Sequence, residues 1–310
     1  MELPAFDRFS DRQTGDPQWN ENSWFSLTIP ERRIHGLIQH FFRPNMGLVV
    51  GGPVLWDPTA TFQWNCLHYN WSHLQPIPEG AGKYDLVAPN SLSVRVVEPL
   101  ARYKIDYAAM GLEMDLVWQA VSAYHRMHNG DPAQPQTGAF YLEQPGRMTG
   151  TIRLEGETIA VDCWSMRDCS SGPYPAENKA MGGYFWGMGE GMSFLGLCIG
   201  KRAELKTIGG HIMRDGIMAG ITTGKRSVLE YGQFGPSRLA FEAEDELGRS
   251  VRATGKVDPG LVFTGYTDHT VIWSLVEWAC EGHTLWGDNQ EFYPAATVRR
   301  LARGEVVLPI

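Results

Sequence analysis

The residues from Asp162 to Gly189 place an adjacent Arg167-Asp168 pair beside Cys169, Ser170 and Ser171, with Trp164 before it and a Trp-Gly-x-Gly run from Trp186 after it. An aspartate held in apolar surroundings keeps its proton to a higher pH and can serve as a general acid. Protonating a carbon-carbon double bond needs such an acid, with aromatic faces nearby to shield a cationic intermediate. Neighbouring strand residues point to opposite faces, so Arg167 and Asp168 need not bond each other. One can face a ligand while the other cross-links strands; a purely structural ion pair at a barrel corner uses the same residues. The run Gln63 to His73, QWNCLHYNWSH, interleaves polar and aromatic residues. Read as a strand, it puts His68 on one face and Tyr69, Trp71 and His73 on the other. Polar groups among aromatics suit a ligand pocket, with His68 and Tyr69 as acid-base candidates and exposed histidines on a solvated strand as the plainer alternative. Glu291 is a further carboxylate candidate, on a strand face expected to be solvated.

Other chemistries fit poorly. Trp186 to Gly191 looks like a phosphate loop but lacks the Lys-Ser/Thr ending. Cys163 and Cys169 are too far apart for a zinc knuckle, and His125 with His128 falls at a linker, so no metal site is expected. No Gly-x-Ser-x-Gly occurs.

Short apolar runs punctuated by turn residues must position these groups. The 35 glycines and 19 prolines lie between such runs and point to many strands. Ser91–Val97 alternates, as do Tyr103, Ile105 and Tyr107. Met148–Val161 reads as a hairpin turning at Glu155-Gly156. Two more hairpins turn at Glu281-Gly282-His283 and within 245–249. Leu112–Tyr124 fits either a helix or a strand; β-branched and aromatic neighbours favour a strand. No helix with capping signals stands out, so the fold class is all-β. Residues 1–20 read as a loose arm. The polar, Pro-rich stretch 128–137 reads as a linker dividing an N-terminal domain (21–135) from a C-terminal domain (136–310).

A chain of 310 residues with a net charge of -8 argues against nucleic acid as a partner. No segment is apolar for long enough to cross a bilayer. Five scattered cysteines suit a reducing cytoplasm better than a disulfide framework. Oligomeric state is open, a homodimer among the options.

Several motifs carry a likeness to a known family: Asn22-Ser23-Trp24-Phe25, Pro44-Asn45-Met46-Gly47, Leu112 to Trp118, Asp162 to Asp168, and Trp286-Gly287-Asp288-Asn289-Gln290-Glu291. On these the chain resembles the double-lipocalin (double-calycin) proteins related to hydroxyneurosporene synthase, the carotenoid hydratases, and more closely their bacterial branch of mostly unknown function. The resemblance implies two lipocalin-like (calycin-type) antiparallel β-barrel or sandwich domains packed together, an apolar pocket, and no cofactor. Relatives include hydratases of isoprenoid double bonds and proteins that resemble enzymes folding polyenes into rings. One departure stands out: relatives follow the Arg-Asp pair with a polar residue and Ser-Trp-Gly, whereas Ser171 replaces the tryptophan here. The expectation is a cofactor-independent hydratase, lyase or isomerase acting by proton transfer on a terpenoid, steroid or lignin-type aromatic. Asp168 would be the acid or base, Arg167 would orient it or bind a substrate oxygen, and Trp71, Trp164, Trp186, Ser171 and His73 would shape the pocket. The rival is a non-catalytic carrier of a hydrophobic ligand.

Overall fold

The computed structural model describes residues 5–10, 15–127, 140–173, 181–200, 203–266 and 269–305. They form two compact units, one built mainly from 5–55, 67–126 and 140–173, the other from 56–66 and 181–305. The first contains β1 (Trp19–Ile29), β2 (Ile34–Arg43), β3 (Leu48–Trp56), β4 (His68–Tyr69), β5 (Ser72–Pro76), β6 (Asp85–Val87), β7 (Ser93–Glu98), β8 (Arg102–Ala109), β9 (Leu112–Ala120), β10 (His125–Arg126), β11 (Phe140–Leu154) and β12 (Glu157–Pro173). They make one large antiparallel sheet in the order β3-β2-β1-β12-β11-β9-β8-β7-β6, with β4 and β5 added to β3 and β10 to β11. The second contains β13 (Gly182–Gly189), β14 (Met192–Ile199), β15 (Glu204–Arg214), β16 (Ile217–Gly232), β17 (Gly235–Asp245), β18 (Ser250–Val257), β19 (Leu261–Phe263), β20 (His269–Cys280) and β21 (His283–Pro294). Here β13 to β18 pair in sequence, β21 and β20 follow β13, and β18 pairs with β20 to close an eight-stranded barrel. The all-β, two-part lipocalin-like architecture expected from the sequence is therefore present.

Turn chemistry sets the registers. Glu155-Gly156 and Glu281-Gly282 both hold two successive residues at positive φ (50° and 89°; 52° and 87°), the twist a two-residue hairpin requires. Strand alternation then builds the cores. In the first unit Phe25, Ile38, Tyr103, Leu116, Trp118 and Met148 share one apolar cluster. In the barrel Phe185, Phe194, Phe241 and Trp278 pack together. A Cβ at Gly187 would lie 2.8 Å from both Phe194 and Trp278, so the missing side chain is what lets those rings meet.

Several sequence expectations change. The segment expected to be a loose arm contributes Asp7, which is fully buried and ion-paired. The linker stretch 128–137, His128 included, lies outside the described residues, and the strand β11 that follows pairs with β9 and β12 inside the first unit. The compact units therefore part after β12 rather than near residue 135. Residues 63–73 are not one strand. Gln63–Asn65 is a 3-10 turn, because Asn65 Oδ1 accepts from the backbone N–H of Thr61 and Phe62 while its Nδ2 donates to the Thr59 carbonyl. Such local side-chain bonds compete with a strand ladder. One short helix, α1 (Ala295–Ala302), follows β21; Arg299 and Arg300 in its last turn favour the helix dipole.

Candidate functional site

The register of the β11–β12 hairpin, carried outward from its turn, sets Glu143 directly opposite Asp168. Asp168 in turn lies opposite Trp24 of β1, and Trp24 opposite Gln39 of β2. The neighbouring row is Tyr141, Ser170, Asn22 and Phe41. These side chains occupy the face of the sheet opposite the apolar core. Asn22 Nδ2 donates to Asp168 Oδ1, and Gln39 Nε2 donates to Asn22 Oδ1 at 2.6 Å. Tyr141 hydrogen-bonds both carboxyls, and Glu143 hydrogen-bonds Asp168. A hydrogen bond between two carboxyls requires a proton on one of them.

The electrostatics agree with that requirement. Burial pushes the Asp168 carboxyl up to about 6, against the opposing pull of bonds from Tyr141, Asn22 and Glu143 and of the Lys83 charge. Burial also raises the Tyr141 hydroxyl well above its ordinary value, and the adjoining Glu143 and Asp168 charges reinforce it. Asp168 thus keeps its proton to a higher pH than an exposed aspartate does. Asp168 and Glu143 are buried, while Tyr141, Ser170 and Phe41 are only half-buried.

Arg167 faces the other way. Its guanidinium donates to Asp7 Oδ1 at 2.9 Å, to the Tyr84 hydroxyl at 3.1 Å and to Gln144 Oε1 at 3.2 Å. It also sits over the Tyr103 ring at 4.3 Å. Asp7 further accepts from the Tyr103 hydroxyl and the Leu100 N–H. Arg167 therefore braces the interior and does not touch Asp168; Asn22 orients that carboxyl instead. Ser171 shares the Arg167 face, opposite Glu21, so its replacement of tryptophan alters the interior rather than the Asp168 side.

The remaining candidates are dispersed. His68 Nε2 meets the Tyr107 hydroxyl at 3.0 Å, which also accepts from Asn70 Nδ2 at 2.7 Å. Burial lowers His68 to about 4, which keeps it neutral. Tyr69 is half-buried, Trp71 is buried and His73 is exposed. Trp164 lies under the Arg147 guanidinium, 4.9 Å from its ring centre. Trp186 is fully buried in the barrel unit, in a cross-strand row with Asp288. Glu291, expected on a solvated face, is inside the barrel and ion-paired to Arg226, which also bonds Asn289; Arg226 occupies the carboxylate that a catalytic role would need free.

A surface groove of about 830 Å³ lies in the first unit, lined by Ser93, Arg95, Asp106, Tyr107, Glu113 and Arg153 among others. Its charges pair with one another, Arg95 with Asp106 and Arg153 with Glu113, and it shares no residue with the Asp168 cluster. Among the described residues no group of three His, Cys, Asp or Glu is placed to hold a metal.

Glu143, Tyr141 and Gln39 were not legible as candidates. The turn at Glu155-Gly156 held the signal, since a two-residue turn fixes every pairing in its hairpin and that register reaches Glu143–Asp168.

Solved structures share the architecture. A Nitrosomonas europaea protein named provisionally as an AttH matches 94% of this chain and 99% of its own at a TM-score of 0.64 and 13% identity. CghA matches 89% of this chain and 88% of its own at 0.56 and 11%, and kievitone hydratase from Nectria haematococca 88% of each at 0.51 and 10%. At these identities the likeness is one of fold. A search of curated protein sequences finds no match. The family described as a domain of unknown function, DUF7064, spans residues 7–291, from the buried Asp7 of the first unit to the buried Glu291 of the second, and the chain belongs to that family.

Proposed function

We propose that the chain is a cofactor-independent enzyme that adds or removes water across, or shifts, a carbon-carbon double bond in a hydrophobic substrate such as a terpenoid, steroid or lignin-type aromatic. The observation that carries the reading is the Glu143–Asp168 carboxyl pair, bonded to Tyr141 and oriented by Asn22. Asp168 delivers a proton to one alkene carbon. The resulting cation is shielded by the ring face of Trp24, which lies opposite Asp168 in the sheet register. Water adds to the cation and returns a proton to the pair, or a neighbouring C–H gives up its proton and the double bond moves. Gln39 and Asn22 are positioning residues. That kievitone hydratase has this fold adds support of a weaker kind, because fold alone does not fix reaction. So does the sequence likeness to carotenoid hydratases.

The test is a screen of terpenoids, steroids and lignin-type dimers in oxygen-18 water, without added cofactor, read by mass spectrometry. Incorporated label, lost water or an isomer of unchanged mass is expected from the wild type. The folded Asp168→Asn protein should lose roughly 100-fold or more in turnover, the scale of general acid catalysis. Undiminished turnover by that variant would remove Asp168 from the role. Tight binding with no product from any ligand would favour a carrier.

A further inference from the structure

On the core side of β12, next to Asp168 in sequence, the Lys83 ammonium and the Cys169 thiol are 3.1 Å apart. Both are buried, and Lys83 is fully so. Lys83 also contacts Glu21 Oε2 at 3.2 Å, with both side chains shut off from solvent, and lies 5.5 Å from the centre of the Phe140 ring. Cys169 Sγ is held from its other side by the Phe6 carbonyl at 3.3 Å. Nitrogen and sulfur are thus fixed at a separation that a single oxygen atom can bridge. We propose that Lys83 and Cys169 form a modification site in which dioxygen joins them through a covalent N–O–S bridge.

The step balances as Cys–S⁻ + Lys–NH₃⁺ + O₂ → Cys–S–O–NH–Lys + H₂O. Sulfur and nitrogen each give up two electrons, and dioxygen takes all four. One oxygen atom enters the bridge, and the other leaves as water with two of the ammonium protons. A sulfenic acid trapped by the amine would instead lose water to give an S–N sulfenamide, about 2 Da lighter than the unmodified pair, so mass separates that product from the oxygen-retaining N–O–S bridge. Burial limits the reagent to a small neutral molecule, which dioxygen is. When the Lys83 charge is removed, Glu21 Oε1 keeps the donors Ser10 N–H at 2.9 Å and Trp19 Nε1–H at 3.1 Å. No other cysteine competes through a comparable lysine contact among the described residues: Cys198 faces Thr207 and Cys280 faces Met192.

Intact-mass spectrometry of the full chain, purified under argon with a reductant and then exposed to air-saturated buffer, tests the site. The expected product is heavier by about 14 Da, one oxygen gained and two hydrogens lost, on the balance just written. Tandem mass spectrometry should place it as a cross-link between the peptides containing Lys83 and Cys169, and a thiol reductant should reverse it. Lys83→Arg and Cys169→Ser should each abolish the 14 Da product. Recovery of only unmodified Cys169, or of gains of about 16 or 32 Da on Cys169 alone, would overturn the proposal. The wild-type cross-link map decides the matter even if a variant fails to fold, and neither readout depends on substrate turnover.

Discussion

Replacing Asp168 with asparagine should stabilise the protein, and by an amount that depends on pH in a defined direction. The folded carboxyl is pushed up to about 6 from 3.8. Between those values the folded chain holds a proton that the unfolded chain has released. Stability therefore falls as pH rises from about 4 to about 6 and is flat above. At roughly 1.4 kcal/mol per pKa unit, the charged form costs about 3 kcal/mol at neutral pH. Asparagine cannot ionise, yet its oxygen still accepts from Asn22 and its amide can donate to Glu143, taking over the work of the proton between the carboxyls. The assay is urea denaturation of wild type and Asp168→Asn from pH 4 to 8. The difference must be taken between the two proteins, because buried neutral histidines impose an opposite slope on both. The variant should gain stability relative to wild type as pH rises to 6 and keep about 1–3 kcal/mol of advantage beyond it. A difference independent of pH, or a variant weaker by the same amount throughout, would show that Asp168 is an ordinary ionised carboxylate satisfied by its donors and would undo the acid assignment.

The histidine slope is itself testable. Burial lowers His40 to about 4 from 6.5, so the unfolded state takes up the proton first and stability is lost as pH falls through that window; His40→Leu should reduce the acid loss by about 3 kcal/mol in the same titration. Asp7→Ala leaves the buried Arg167 without its anion and should cost about 3–5 kcal/mol in chemical denaturation; a loss below 1 kcal/mol would mean that Gln144 and the tyrosine rings suffice.

Most of the fold was legible because turns and alternation are local. Gly after Glu155 and after Glu281 marked both hairpins, and the half-buried alternation of Tyr103, Ile105 and Tyr107 appears as written. The long-range partners were not legible. Asp7 reaches Arg167 across 160 positions, and nothing in a polar N-terminal segment announces that one aspartate will be buried. Lys83 follows Gly82 in a stretch that reads as a turn, yet its ammonium is enclosed. Residues 63–73 misled because Asn65 folds its own backbone back through side-chain bonds, a competition that alternation cannot register. At the candidate site, Asp168 was visible from composition alone. Glu143 needed the hairpin register extended past the point where its alternation weakens, at Pro145-Gly146.

The adjacency of Arg167 and Asp168 places structure and chemistry back to back on one strand. Alternation sends the arginine into the interior, where Asp7 neutralises it and tyrosine rings enclose it. It sends the aspartate to the opposite face, where a second carboxyl, Glu143, lies across the hairpin from it. The contrast with the barrel unit is instructive. There Glu291 points inward and meets Arg226, the usual resolution for a buried carboxylate. A carrier of apolar ligands gains nothing from two carboxyls in contact, since neutral side chains would bind such a ligand without the cost of a charge forced out of water. Leaving Asp168 opposite Glu143 rather than opposite an arginine makes sense where a proton must be held near neutral pH and given up. That is why stability gained by Asp168→Asn and turnover lost by it should appear together in one variant: a stability gain with turnover intact would mean that the carboxyl pair is a costly accident of packing, not an acid.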